Sequence, residues 1–236
     1  MNRIAILAVL LGIAIAFAAG CGRNAGEAYN PVIDAANFVA KIDNRYFPLM
    51  LGTAFIYQGG TKGGIERNEV YVTHQTKQIL GVICTEVRDR VSVDGKLVEE
   101  TLDWYAQDKD GNVWCFGEEA KEYENGVVVS TEGSWEAGID GAKPGIIMEA
   151  NLQIGDSYRQ EYYKGKAEDM ATVLSLNESV LVPYGSFKNC LKTKDFTPLE
   201  PGIIENKYYS AGVGVVLTIM VEGGAERVEL VDITTE

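Results

Sequence analysis

The sequence is poor in the residues that build metal centres and nucleophilic active sites. It has one histidine, His74, and four cysteines, with no C-x-x-C pair and no cysteine–histidine cluster. A structural zinc site is therefore not expected. No G-x-S-x-G motif accompanies His74, so the base and nucleophile of a hydrolytic triad are missing. The sequence predicts no catalytic residue, no metal site and no cofactor.

Basic residues and long apolar segments are also scarce. Lysine and arginine number 21 against 34 aspartates and glutamates, which gives a formal net charge of −13. A chain this acidic repels nucleic acid, so no nucleic-acid partner is expected. Beyond the first 20 residues, no apolar run is long enough to cross a bilayer as a helix.

One apolar run stands at the start of the sequence. Arg3 precedes the run Ile4–Phe17, and small residues at 18–20 then lead to Cys21. A run of this length is typical of a signal-peptide core and short for a membrane span. We predict a bacterial lipoprotein signal peptide over residues 1–20 and a lipid on Cys21, which would anchor the protein to a membrane of the cell envelope, facing the periplasm or the cell exterior. An ordinary secretory signal with an incidental cysteine is the alternative.

After the signal, the sequence predicts a polar tether over residues 21–30 and a single antiparallel β domain over residues 31–236. Alternating runs rich in Val, Ile, Thr and Tyr follow one another, separated by turn residues and without helical patterns between them. We expect an all-β fold, a meander that curls into a barrel or half-barrel, because closure reduces exposed edges. One short helix is expected after Pro31, where apolar residues follow a helical spacing. The glycine-rich segment 136–156 lacks alternation and is expected to be a long ordered loop or lid.

The stretch "DWYAQDKDGNVWCFGE", Asp103 to Glu118, predicts a tight hairpin. "DKDGN" suits a three-residue loop with Gly111 in the left-handed conformation. An EF-hand is not expected, because the sixth position counted from Asp108 is Val113 and not glycine. Counting outward from the loop separates two faces of the hairpin. One face has Trp104, Trp114 and Phe116; the other has Asp103, Tyr105 and Cys115.

The aromatic face indicates a binding function. On the concave side of a bent sheet, Trp104, Trp114 and Phe116 would accept a lipid or another apolar small molecule. Trp135, at the start of the glycine-rich segment, is a further candidate. The alternative for each of these residues is that it fills a packed core.

Two other functions remain open. The protein could be an envelope structural or protein-interaction module, with an envelope protein as its partner. It could also be a carboxylate-dependent hydrolase that uses Asp103, Glu136 and Asp140. In so acidic a sequence, however, neighbouring carboxylates are expected on solvated rims. Such pairs are Glu99–Glu100, Glu118–Glu119 and Glu168–Asp169.

Three cysteines follow Cys21 in the sequence: Cys84, Cys115 and Cys190. Export to an oxidising compartment permits a disulfide, and an odd count leaves one cysteine out. Cys84 and Cys190 both lie in alternating strand-like runs. We predict a bond between these two, with Cys115 free and buried; three reduced thiols are the alternative.

Five blocks of the sequence resemble a family of uncharacterised exported bacterial proteins and lipoproteins. They are "GVICTEVRDRV", "DWYAQDKDGNVWCFGE", "GSWEAGIDGAKPGIIM", "YRQEYYKGKAED" and "KYYSAGVGVV". The similarity covers most of the chain from about Phe38 onward. It implies an exported setting, and a core position for Cys115, where the family more often has tyrosine. It carries no activity that could be transferred.

Overall fold

The structure is a computed structural model, and it describes residues 29–61 and 63–236. The predicted signal peptide over 1–20, the predicted lipid-attachment residue Cys21 and most of the tether over 21–30 lie outside these residues. In the part of the chain that is described, no helix has the length and apolar character needed to cross a membrane.

The described residues form β-strands joined by turns. One three-residue 3-10 turn, η1 (Ala35–Asn37), is present, and these residues contain no α-helix. The strands are β1 (Phe38–Val39), β2 (Ile42–Asp43), β3 (Pro48–Leu49), β4 (Thr53–Thr61), β5 (Gly64–Ile79), β6 (Val82–Val93), β7 (Lys96–Asp108), β8 (Val113–Glu124), β9 (Val127–Ser130), β10 (Trp135–Glu136), β11 (Lys143–Met148), β12 (Ser157–Arg159), β13 (Glu161–Tyr162), β14 (Met170–Val182), β15 (Gly185–Phe196), β16 (Ile204–Ser210), β17 (Gly214–Glu222) and β18 (Arg227–Thr235).

The short helix expected after Pro31 is not formed. Asp34 caps a single turn by accepting a hydrogen bond from the backbone N–H of Ala36, and Phe38 is already extended. Phe38 pairs with Asp108 at the end of β7, and its ring packs edge-on against Phe116 at 5.4 Å between centroids. Pairing with the sheet therefore competes with continuation of the helix and prevails.

The sheet curls into a nearly closed antiparallel barrel, as predicted. Strands β4 to β8 form one meander and β14 to β18 a second, and β18 pairs with β4 to join them. On the opposite side, β8 pairs with β11, β11 with β13, and β12 with β14. Because only Gln160 separates β12 from β13, these short strands bring the two ends of the sheet together. A small separate pair, β2 and β3, lies outside the barrel sheet.

Strand β11 corrects the prediction of a loop or lid over residues 136–156. It begins within "AKPG", where proline and glycine hide the strand pattern in the sequence. A Cβ added at Gly145 would meet the backbone carbonyl oxygen of Gln160 at 2.3 Å. The glycine therefore lets β11 and the β12–β13 segment approach closely. This close approach helps to bring the two ends of the sheet together.

The hairpin between β7 and β8 forms as predicted at its tip and changes register further out. The backbone N–H of Asp108 donates to the carbonyl of Asn112 at 2.9 Å, and Gly111 has a φ of 91°. A bulge then shifts the pairing, so that Asp103 lies opposite Glu118. Gly117, with a φ of 149°, occupies the bulge. The extra residue reverses the alternation along β8 and turns Glu118 to the same side of the sheet as Asp103.

Candidate ligand-binding lumen

The predicted aromatic ligand face is packed away from the inside of the barrel. Trp104, Phe116 and Trp135 are 4%, 0% and 5% exposed, and they share one core cluster. Alternation along β7 puts Trp104 on the side opposite Asp103, which lines the lumen. None of these aromatic residues lines either of the two cavities described below.

The surroundings of the indoles explain this placement. The ammonium of Lys77 lies 3.5 Å from the centre of the Trp104 ring and 2.8 Å from a carboxylate oxygen of Glu136, so this ion pair covers the ring. Trp114 is half-buried, and its indole N–H donates to Asp108 at 2.8 Å. These residues stabilise the barrel wall, which corrects the expectation that they line a concave binding face.

The carboxylates named for a hydrolase do not share a site. Asp103 lines both cavities. Glu136 pairs with Lys77 beside Trp104, and Asp140 is exposed in a turn with a φ of 49°. A two-carboxylate mechanism needs both groups to face one substrate, so this trio supplies none.

The predicted Cys84–Cys190 disulfide is not formed. Cys84, Cys115 and Cys190 are all free and buried. Cys84 packs in the cluster that contains the tryptophans, whereas Cys190 packs in a second cluster with residues of β17 and β18. The two cysteines lie on β6 and β15, which are separated by five strands in the sheet order.

The lumen of the barrel holds two adjoining cavities of different character. One has a volume of about 300 Å³ and is lined largely by carboxylates. The other has a volume of about 320 Å³ and a mainly apolar lining. Asp89, Asp103, Glu205 and Lys207 line both, so the cavities meet at this band of charged residues. We call them the acidic cavity and the apolar cavity.

The apolar cavity is walled by inward-facing side chains of β4, β5, β6 and β17 and by the segment around β3. Its apolar lining includes Phe47, Leu49, Phe55, Val70, Val87 and Met220. Each residue that lines this cavity is buried or half-buried. Such a concave, largely apolar space is the usual form of a small-molecule pocket.

Carboxylates from six strands of the barrel converge on the acidic cavity. They are Asp89 on β6, Glu99 and Asp103 on β7, Glu118 on β8, Glu161 on β13, Asp195 on β15 and Glu205 on β16, together with Asp169 just before β14. The cavity reaches the surface at the exposed residues Glu132, Lys166 and Leu199.

A few polar contacts stabilise this lining. The ammonium of Lys207 lies 3.3 Å from Asp195 Oδ2, and the hydroxyl of Thr193 donates to the other oxygen of the same carboxylate. Asn68 donates to Asp89 at 3.2 Å. Lys207 and Lys166 are the basic residues in the lining, and Lys166 is exposed at the mouth. Carboxyl groups therefore greatly outnumber basic groups inside.

The buried carboxylates hold protons more tightly than carboxylates in water. Burial, with a further contribution from the charge of Glu66, raises the pKa of Asp89 to about 7. Burial and the neighbouring carboxylates raise the pKa of Glu99 to about 8. The pKa values of Asp103, Glu118 and Glu161 are raised well above the usual range, first by burial and then by neighbouring carboxylates.

Lys207 behaves in the opposite way. Burial lowers its pKa, but the surrounding acidic groups, Asp195 first, outweigh burial and raise the pKa above its ordinary value. Lys207 therefore stays cationic at the band where the two cavities meet.

The sequence predicted these acidic residues on solvated rims, and this was wrong for Glu99, Glu118 and Asp169, which line the acidic cavity. A signal was present in β7, where Glu99, Thr101 and Asp103 share a face with Tyr105 by simple alternation. No comparable signal existed for Glu118, because only the bulge at Gly117 turns it inward.

Metal binding has no matching geometry here. Across residues 29–61 and 63–236, no three His, Cys, Asp or Glu side chains are grouped so that they could hold a metal ion. The carboxylates of the acidic cavity are spread around its wall.

Among known proteins, a structural similarity is found without a sequence-family match. No family model matches the chain, and no curated protein matches it. The chain is similar to a solved structure from Parabacteroides distasonis ATCC 8503 described as a candidate lipoprotein, with a TM-score of 0.45 and 14% sequence identity. That similarity covers 81% of this chain and 100% of the other.

Proposed function

We propose that this protein is a lipid-anchored lipoprotein of the bacterial envelope whose barrel lumen binds a small apolar or amphiphilic molecule. The observation that carries the binding function is the apolar cavity of about 320 Å³ inside the barrel. Its volume lies within the range of roughly 300–1,000 Å³ that is typical of ligand pockets. The anchor is inferred from the sequence around Cys21.

The apolar cavity can supply substantial binding free energy. Each buried methylene group of a ligand contributes about 0.8 kcal/mol when it leaves water. An apolar cavity of 150 Å³ is enough to bind benzene in a well-studied protein, and this cavity is about twice as large. Since its walls belong to paired strands, little ordering is needed when a ligand enters.

The binding proposal is tested by filling the cavity. Val70 on β5 is half-buried and lines it, so Val70→Phe places a larger ring in the ligand's space. We expect at least a tenfold loss of affinity for a hydrophobic fluorescent probe, at little cost in thermal stability. Val129→Phe is the matched control, because Val129 is 52% exposed on β9. Equal binding of the probe by the wild type and both variants would contradict the proposal.

The anchor is tested separately. Cells that express the full chain with Cys21→Ser should incorporate no labelled palmitate into the protein, whereas the wild type should be labelled and found in the membrane fraction. A wild-type chain without an acyl modification would rule out the anchor and leave the binding proposal standing.

A further inference from the structure

The two cavities adjoin and form one continuous space, with an apolar lining in one part and an acidic lining in the other. The acidic cavity adjoins the apolar cavity and reaches the surface at Glu132, Lys166 and Leu199. Asp89, Asp103 and Glu205 belong to both linings. A molecule that fills the apolar cavity therefore has its other end among carboxylates.

The acidic cavity lacks the cations that its carboxylates need. Lys207 is half-buried in its lining, and that ammonium is already paired with Asp195. Among the described residues, no lysine or arginine forms a salt bridge with the inner carboxylates of β6, β7, β8 or β13. Buried charge without a partner is costly, so the site is short of positive charge.

One nearly buried side chain in this lining is left without a partner, which points to a missing ligand. Glu99 is 7% exposed and makes no hydrogen bond or salt bridge with any described residue. Buried polar groups in folded proteins are nearly always paired, and Glu99 lines the acidic cavity.

The kind of ligand follows from this chemistry. An anionic group would meet a lining in which carboxyl groups greatly outnumber basic groups, and the Lys207 ammonium is already paired with Asp195. A metal ion needs several converging ligands, and the described carboxylates do not converge. An organic ammonium group needs only nearby carboxylates and hydrogen-bond acceptors, because it donates its protons outward in several directions.

We infer that the lumen selects an amphiphilic amine, with the ammonium group in the acidic cavity beside Glu99 and the apolar part in the apolar cavity. This inference rests on the proposed function and names its ligand class. The ammonium end lies in the cavity that reaches the surface at Glu132, Lys166 and Leu199, where it stays close to water.

Calorimetry with probes of equal chain length tests the inference on the purified full chain. Hexylamine, hexan-1-ol, hexanoate and calcium chloride are titrated separately at pH 7.5, with protein-free buffer as the blank. We expect hexylamine to bind at least tenfold more tightly than hexan-1-ol, and hexanoate to bind more weakly than both. The comparison within the wild type needs no variant, so it stands even if a substitution disturbs folding.

Two variants locate the ammonium group. Glu99→Gln keeps the side-chain shape and removes one facing carboxylate, so it should weaken hexylamine binding at least fivefold and leave hexan-1-ol binding unchanged. Glu100→Gln is the control, because Glu100 is the next residue on the same strand and pairs with Arg90 at 3.2 Å outside the lumen. It should leave the affinity for both probes unchanged.

Each other outcome has a definite meaning. Equal affinity for the amine and the alcohol would overturn the amine inference and support the proposed binding of apolar molecules. Binding of calcium without binding of the amine would replace the inference with a metal site. If neither the amine nor the alcohol binds to folded protein, the inference and the proposed function both fail.

Discussion

Replacing Glu99 with glutamine should stabilise this protein, although it alters a residue inside the barrel. Glu99 is 7% exposed, and burial first, then Asp89, Glu122 and Glu66, raises its pKa from 4.5 to about 8. The folded state therefore binds the Glu99 proton more tightly than the unfolded state does. Stability is lost as the pH rises from about 4.5 towards 8, because ionisation then favours the unfolded chain.

The size of the effect follows from the same values. One pKa unit corresponds to about 1.4 kcal/mol. At pH 7 Glu99 is ionised in the unfolded chain but largely keeps its proton in the folded chain. This difference lowers the free energy of unfolding of the wild type by about 3 kcal/mol relative to low pH. At pH 4 the carboxyl is protonated in both states and costs almost nothing. Glutamine has no proton to lose, so Glu99→Gln should gain about 3 kcal/mol over the wild type at pH 7 and little at pH 4.

Urea unfolding followed by tryptophan fluorescence measures this difference. The midpoint for Glu99→Gln should lie above that of the wild type at pH 7 and coincide with it at pH 4. Glu100→Gln should change the free energy of unfolding by less than about 1 kcal/mol, since it loses only a partly exposed ion pair. A Glu99→Gln variant that is less stable at pH 7, or equally shifted at both pH values, would show that Glu99 has a partner and refute the reasoning.

Three further predictions concern other parts of the structure. Asp108→Ala should lower the free energy of unfolding by about 3 kcal/mol, because the carboxylate accepts hydrogen bonds from two backbone amides, an asparagine amide and an indole; Asp110→Ala should cost less than about 0.5 kcal/mol, and equal urea midpoints would contradict this. Lys207→Met should cost about 1–3 kcal/mol because the buried carboxylate of Asp195 then keeps only the hydrogen bond from Thr193; a thermal melt unchanged from that of the wild type would disprove the pairing. In a thiol titration at pH 8, the three buried cysteines should react only after denaturation, since burial raises the pKa of Cys84 to about 12; one reactive thiol among the three would instead indicate a disulfide.

Local patterns predicted the wall of the barrel well. Alternation and turn residues were enough to predict an antiparallel all-β barrel and the hairpin closed at Asp108 and Gly111. Both depend on neighbours in sequence, so the sequence contains the necessary information. The prediction of a short helix was wrong because Phe38 pairs with Asp108 at the end of β7, which is distant in sequence.

The polarity of the lumen was harder to predict, because it depends on which face of each strand points into the barrel. The hairpin separated Trp104 from Asp103 correctly, but an aromatic face suits a core as well as a pocket. Curvature decides between the two, and curvature is a property of the whole sheet. Strand β11 and the bulge at Gly117 depend on close approaches to Gln160 and Trp135, which alternation does not show.

The pairing of β18 with β4 has a consequence for how the molecule is made. Thr53 and Thr235 meet across this seam although they are 182 residues apart in sequence. Until β18 arrives, β4 keeps an open edge that can recruit strands from other chains. A newly synthesised chain therefore passes through a partly folded, aggregation-prone state, and rapid synthesis should make its folding depend on chaperones that shield this edge.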